Sequence, residues 1–325
     1  MRTIKRLLLG LVIGVVGWLG LSGPMWAQSW PQRAVRVIVP LPSGTAIDVS
    51  ARIFGEQLAA RWGQPVVVEN MPGVDGIVAA REFVSRRDNH TLLYSFAGLI
   101  TINPLLYEKL PYDPARDLVA IATSSDNFLA VAASEKLHVG SLGELVRLAR
   151  SRSTQLNWAA TAGLPYFAMG GFQKSAGIEM AYVPYRDFNP ALADLGEGRI
   201  DVVSTGVTQL LPHSQAGKLK LLVVLNRTRS PVAPGIPTAA EAGYPDLTFD
   251  GVTGFFGGRD MPAELRERIA ADVRAVAENP AIKQRLSGMG IVARGSTPGE
   301  FVAAIEEQRA KVAAIAAAIG TKPAQ

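Results

Sequence analysis

"VRVIVPLPSGTAIDVSARIF", Val35 to Phe54, holds the reading of the fold. An apolar, β-branched run of strand character ends in a Pro-Leu-Pro-Ser-Gly loop, and the residues after it begin a helix, with Val49, Ile53 and Leu58 near helical spacing. A strand that passes into a helix through small residues leaves the first N–H groups of that helix without intrahelical partners. Those groups carry partial positive charge, and an anion on them gains roughly 0.3–1 kcal/mol, up to ~2 when partly buried. Ser43, Gly44, Thr45 and Ala46 are small enough to let a ligand reach the backbone. The occupant could be a phosphate, a tetrahedral intermediate or a carboxylate.

The first two fit poorly. The loop has one glycine, Gly44, and no lysine after it, so neither G-x-G-x-x-G nor G-x-x-x-x-G-K-[ST] is present. Ser43 as a hydrolase nucleophile lacks the G-x-S-x-G elbow, and no S-x-x-K pattern occurs. His90, His138 and His213 fall in a turn, a turn and a helix, without triad or metal spacing. No recognisable carboxylate loop for a metal exists either. Asp48, three residues beyond Thr45, reads as a capping-box acid of the helix or as a ligand contact. A second stretch, "NWAATAGLPYFAMGG" (157–171), has the same grammar: strand, then Thr161-Ala162-Gly163, then helix. Two such helix starts facing each other would hold one small acid between them.

Around these stretches, short strand-like runs ("PVVVEN", "TLLYS", "FLAVAAS", "MAYVPY", "RIDVVST", "LKLLVVL") alternate with helical ones, as in parallel sheets flanked by helices. Ser141 with Glu144, and Thr297 with Pro298 and Glu300, mark two further helix starts. The Pro-rich segment 230–246 reads as a connection. At the amino end, Arg2, Lys5 and Arg6 precede an uncharged run from Leu7 to Leu21, the layout of a secretory signal ending near Ala27, with an uncleaved membrane anchor as the alternative. Cleavage there leaves 325 − 27 = 298 residues and a net charge of +5 − 3 = +2. The basic balance therefore belongs to the signal, and no Lys/Arg stripe with interleaved aromatics points to nucleic acid. The chain has no cysteine, which excludes disulfides, thiolate metal sites and cysteine nucleophiles. Its 48% hydrophobic content can build a large core instead.

Several ordered motifs carry a resemblance: "WPQRAVRVIVPLPSGTAID", "GQPVVVENMPGVDG", "INPLLYEKLPYDPARDL", "VPYRDFNPALADLGEGRIDV", "LPHSQAGKLKLLVV" and "IPTAAEAGYP". From about Trp30 to Gly320 the chain resembles the periplasmic solute-binding proteins of tripartite tricarboxylate transporters, the Bug-type family. The resemblance implies an α/β, two-lobed type II periplasmic binding fold, each lobe a mostly parallel sheet flanked by helices. Residues 28–126 and 250–325 would form one lobe and 127–249 the other, with hinge crossings near Asp126 and Asp250. It implies a monomer in the periplasm that captures a small organic carboxylate without enzymatic chemistry, metal or cofactor, and serves two membrane permease subunits. A sensor or adaptor signalling to a membrane partner is the alternative.

Carried over residue by residue, the ligand-binding set is Pro42, Ser43, Gly44, Thr45, Ala46 and Asp48 from the first loop, and Ala97 and Gly98 after the third strand. In the second lobe it is Thr161, Ala162, Gly163 and Tyr166, then Tyr185, Asp187 and Phe188, then Thr205 and Gly206. Departures from the family pattern bear on the ligand. Thr45 replaces a second glycine, and Ala168 and Phe172 replace a His and a Glu. Pro165 and Tyr166 replace small polar residues, Phe188 a small residue, Thr205 an acid and Val252 a tryptophan. These changes remove polar partners and add aromatic surface, which predicts a carboxylate with an aromatic or otherwise apolar body.

Overall fold

The stretch quoted above folds as β1 (Val35–Val39), of which only Arg36 is exposed, followed by α1 (Ala46–Trp62). A strand covered on both faces has no need of polar alternation, which is why Val-Arg-Val-Ile-Val reads as a nearly continuous apolar run. Thr45 caps α1 at its start and Gly63, with φ 65°, ends it in the left-handed conformation that glycine adopts without a Cβ clash. The computed structural model describes residues 30–151, 155–185 and 187–323. The expected export signal, 1–27, lies outside them. Arg33 to Gln325 form one unit, within which the chain builds two lobes.

In the first lobe, β1 pairs in parallel with β2 (Val66–Asn70) and β3 (Thr91–Phe96), linked by α1 and α2 (Ile77–Arg86). Two short helices, α3 (Gly98–Thr101) and α4 (Asn103–Leu106), lead to β4 (Val119–Asn127). With only Phe128 between, β4 runs on into β5 (Leu129–Ser134) of the second lobe. That lobe adds α5 (Leu142–Ser151), β6 (Asn157–Ala160), α6 (Leu164–Ala176), β7 (Ala181–Tyr182), α7 (Phe188–Glu197), β8 (Val202–Gly206), α8 (Val207–Gln215) and β9 (Leu219–Val224). The chain returns through β10 (Gly251–Gly257) and closes with α9 (Ala263–Glu278), α10 (Pro280–Ser287), β11 (Ile291–Ala293) and α11 (Pro298–Ile319).

Strand order is β11-β4-β10-β3-β1-β2 in one sheet and β7-β6-β8-β5-β9 in the other. Both sheets are mixed, with most strands running one way as expected: β1 to β4 share a direction in the first and β6 to β9 in the second. β10 is antiparallel to β3 and β4, β11 to β4, and β5 to β8 and β9. The crossings are the reason. β1, β3 and β4 point their carboxyl ends at the other lobe. β5, continuing β4, must run away from the junction, as must β10 on its return, and each is inserted between strands that run toward it.

One amide knits the first crossing. The buried Asn226 side chain accepts from the Leu129 N–H at 3.1 Å and donates to the Asn127 carbonyl at 3.0 Å, bracketing Phe128. Asp126 pairs with Arg294 at 3.1 Å and Asp250 with Arg227 at 3.3 Å at the two crossings. The last helix packs against both lobes. Phe301 and Ile305 of α11 enter the first-lobe core beside Ile38, Leu93 and Phe256. Val312 and Ala316, with Ile315 and Ile319, pack instead into the second-lobe core of Trp158, Phe167, Phe172 and Val223. Gly170 and Gly171 of α6 make the close approach possible: a Cβ on Gly171 would sit 2.8 Å from Ile315 Cδ1, and one on Gly170 3.0 Å from Ile319 Cδ1.

Candidate functional site

The carboxyl ends of β1, β2 and β3 in one lobe, and of β6 and β8 in the other, open on a shared cleft of about 1050 Å³. Ligands of open α/β sheets bind outside the carboxyl ends of the strands, where successive loops diverge. Among the described residues four helices of eight residues or more begin there: α1, α2, α6 and α8. At α1 the N–H groups of Ala46 and Ile47 carry no hydrogen bond among the described residues. Gly163 precedes α6 without a capping side chain, and Pro165 at the second helical position brings no N–H to satisfy. At α8, Val207 donates to the Phe128 carbonyl at 2.9 Å.

Among the described residues no lysine, arginine or histidine lines this cleft, and its single acid is Asp75. The rest of the wall is largely apolar, with Phe96, Ile102, Phe128, Leu164 and Val252 on it. Among the described residues, positive potential in the cleft therefore comes from helix ends.

Of the residues expected at the ligand, Pro42, Ser43, Gly44, Thr45 and Ala46 line the cleft, as do Ala97 and Gly98. Thr161, Ala162 and Gly163, and Thr205 with Gly206, face them from the second lobe. The other five do not line it. Asp48 is buried behind the first loop: its carboxylate accepts from the Gly44 N–H at 2.8 Å, Arg52 Nε at 3.0 Å and Asn70 Nδ2 at 2.9 Å. It is thus a capping acid, yet it closes on Gly44 rather than on Thr45, the position a reciprocal capping box would use. Tyr166 stacks on Trp158 at 5.7 Å and meets Tyr182 edge-on. Tyr185 donates its hydroxyl to Asp194. Asp187 caps α7 by accepting from the Asn189 N–H at 3.1 Å. Phe188 packs on the core formed by Leu192, Val203 and Leu210.

Phe172, too, is buried, edge-on to Tyr244. The expected aromatic surface from Phe172 and Phe188 is therefore absent from the cleft, because both rings turn to the hydrophobic faces of their own helices. Phe96 and Phe128 line it instead.

The hydroxyls differ in freedom. Thr45 donates to the Pro42 carbonyl at 2.9 Å and accepts from the Asp48 N–H, and Ser43 donates to Asp48 at 3.3 Å. Thr161 has no hydrogen bond on its hydroxyl among the described residues. Burial would raise the Asp48 pKa, but hydrogen bonds from Arg52, Gly44 N–H and Asn70 outweigh it and hold the carboxyl below its ordinary 3.8.

Motif reading did not assign to the ligand the loop after β2, whose residues Pro72 to Gly76 form one wall, nor Asn103, Asn127, Gln209 and Gln308. For the β2 loop the signal was present: "ENMPGVDG" is again strand, small-residue loop, helix. For Gln308, in the middle of the last helix, nothing local to the sequence marks a cleft position. In the β2 loop, Tyr107 donates its hydroxyl to Asp75 Oδ2 at 2.5 Å. Burial, together with that carboxylate, pushes the phenol up to about 12, so it stays a donor.

Two α/β lobes around a cleft edged by helix starts, with no histidine on its wall among the described residues, define a solute-binding protein. Residues 50–321 match the family described as the tripartite tricarboxylate transporter family receptor, and the chain belongs to that family. It is a binding protein and not an enzyme. It is 31% identical over 282 residues to a protein encoded in the tcbD-tcbE intergenic region of a Pseudomonas species, covering 83% of this chain and 82% of that one. It is 26% identical over 316 residues to protein BugT of Bordetella pertussis, covering 96% and 97%. Among solved structures it is similar to R. palustris Rpa4515 with adipate (TM-score 0.80, 27% identity, 91% of this chain and 100% of that one). MatC from Rhodopseudomonas palustris with bound malate is also similar (TM-score 0.74, 27% identity, 88% and 99%). The fold is that of the periplasmic binding protein BugD as well (TM-score 0.75, 22% identity, 91% and 100%). No helix among the described residues is long and apolar enough to cross a membrane.

Proposed function

We propose that the protein is a monomeric periplasmic receptor that captures a small carboxylate with an apolar body and delivers it to the two membrane subunits of a tripartite transporter. One observation carries this reading: four helix starts open on a cleft that, among its described residues, offers no cationic side chain. Helix-end partial charges suit one carboxylate, whereas a tricarboxylate would bring three charges to a wall with no counter-ion among its described residues. The N–H groups of Ala46, Ile47, Leu164 and Thr208 and the free hydroxyl of Thr161 would hold the anion, and the apolar wall would cover its body. Relatives with adipate and with malate support the ligand class, and the family supports the transporter.

A thermal-shift screen of residues 28–325 against mono-, di- and tricarboxylates tests it. A ligand at 100 times its dissociation constant should add ~2.7 kcal/mol, a shift of a few degrees for a chain of this size. Hits confined to acids of one or two charges are the expected result. A response limited to citrate-like acids, or silence across the panel from folded, ligand-free protein, would overturn the reading.

A further inference from the structure

We propose that Asp75 reads the end of the ligand opposite its carboxylate, so that the preferred solute carries a hydrogen-bond donor or positive charge there and not a second carboxylate. This rests on the carboxylate reading above and narrows it.

Asp75 is the only ionisable residue on the cleft wall among the described residues. It stands in the loop after β2, the outermost strand of its sheet, and so at one flank of the cleft. Its loop has an unusual backbone: Gly73, Val74, Asp75 and Gly76 all have positive φ, at 148°, 32°, 51° and 80°. Left-handed conformations are the province of glycine, and an acid tolerates one only at some cost. Strained positions persist where surrounding contacts fix them. Here Asn103 Nδ2 donates to the Asp75 carbonyl at 3.1 Å, and Tyr107 holds Oδ2. Gly76 is seated so closely on Leu99 and Pro40 that a Cβ would meet them at 2.9 and 3.1 Å. The carboxylate is therefore fixed, while its Oδ1 has no hydrogen bond among the described residues.

A fixed anion in a wall whose described residues include no cation discriminates between ligand ends. A second carboxylate brought near it is repelled, and an ammonium or hydroxyl finds an acceptor. Charge-assisted hydrogen bonds of this kind discriminate by tenfold or more.

The test uses four six-carbon probes, hexanoate, 6-hydroxyhexanoate, 6-aminohexanoate and adipate, titrated into the mature protein by calorimetry. Asp75→Asn keeps an acceptor for Tyr107 and a residue type that tolerates the left-handed backbone, but removes the charge. Tyr107→Phe removes the anchor and keeps the charge. The expected result is that wild type prefers the amino or hydroxy acid to adipate. Asp75→Asn should shift that preference toward adipate by about tenfold or more, and Tyr107→Phe should shrink the preference for the amino and hydroxy acids while leaving hexanoate little changed. Tightest binding of adipate by wild type, with the order unchanged in Asp75→Asn, would overturn the inference and leave the carboxylate reading intact. Binding of none of the four by any variant would overturn both.

Discussion

Asp48 shows how one side chain sets up a binding loop without touching what binds. By taking the Gly44 N–H it fixes the turn ahead of α1, and its charge is met by Arg52 and Asn70 behind the loop. A carboxyl whose folded pKa is depressed contributes stability that is present above its ordinary value of 3.8 and is lost as pH falls through the folded value. Asp48→Asn should destabilise the protein at pH 7 by about 1–3 kcal/mol, since Arg52 and the Gly44 N–H lose a charged acceptor. It should also show a shallower loss of stability on acidification below pH ~4. Urea titrations of both proteins from pH 3 to 7 would check this, and equal slopes of stability against pH would contradict it. The roles of Asp48, Phe172 and Phe188 also mark the limit of motif reading. A motif states which residue departs from a pattern but not which face of the helix it occupies. Phe188 opens α7 and Phe172 lies two turns into α6, and in both cases the apolar face decided.

At the scale of elements, the strand–loop–helix units were legible because their signals are local: β-branched runs, small loops, caps at Thr45 and Thr297. The direction of β5 and β10 was not, because it depends on where the chain passes between lobes. The double allegiance of α11 was hidden for a related reason. Its apolar residues continue along the whole helix, and nothing in their spacing says that two different cores receive them. The glycine pair on α6 permits that arrangement. In an ordinary helix interior Gly→Ala gains about 0.5–1 kcal/mol. At Gly171 the added methyl meets Ile315 at 2.8 Å, and overpacking of this kind costs about 1–3 kcal/mol. Gly171→Ala should therefore lower the denaturation midpoint, whereas Gly299→Ala in α11, with nothing within 4 Å, should not. A rise at both positions would show that α11 can yield.

For the whole molecule, a cleft of about 1050 Å³ lies at the upper end of the range for pockets that hold drug-sized ligands. It is roomy for a six-carbon acid, so tight binding requires the lobes to approach and exclude water. Small-angle scattering of the mature protein should show a smaller radius of gyration with saturating ligand than without. An unchanged radius, with binding confirmed calorimetrically, would mean that the open form is the binding form. Such a receptor exposes different surfaces empty and loaded, which gives a membrane partner something to distinguish.

The lobes are joined not only by the two chain crossings but also by α11, clamped into both cores. A body tied at two neighbouring points can swing and also twist. A third attachment resists the twist and guides the swing along one path. The glycine-lined contact between α6 and α11 is then where any closure of the lobes is expected to be felt first.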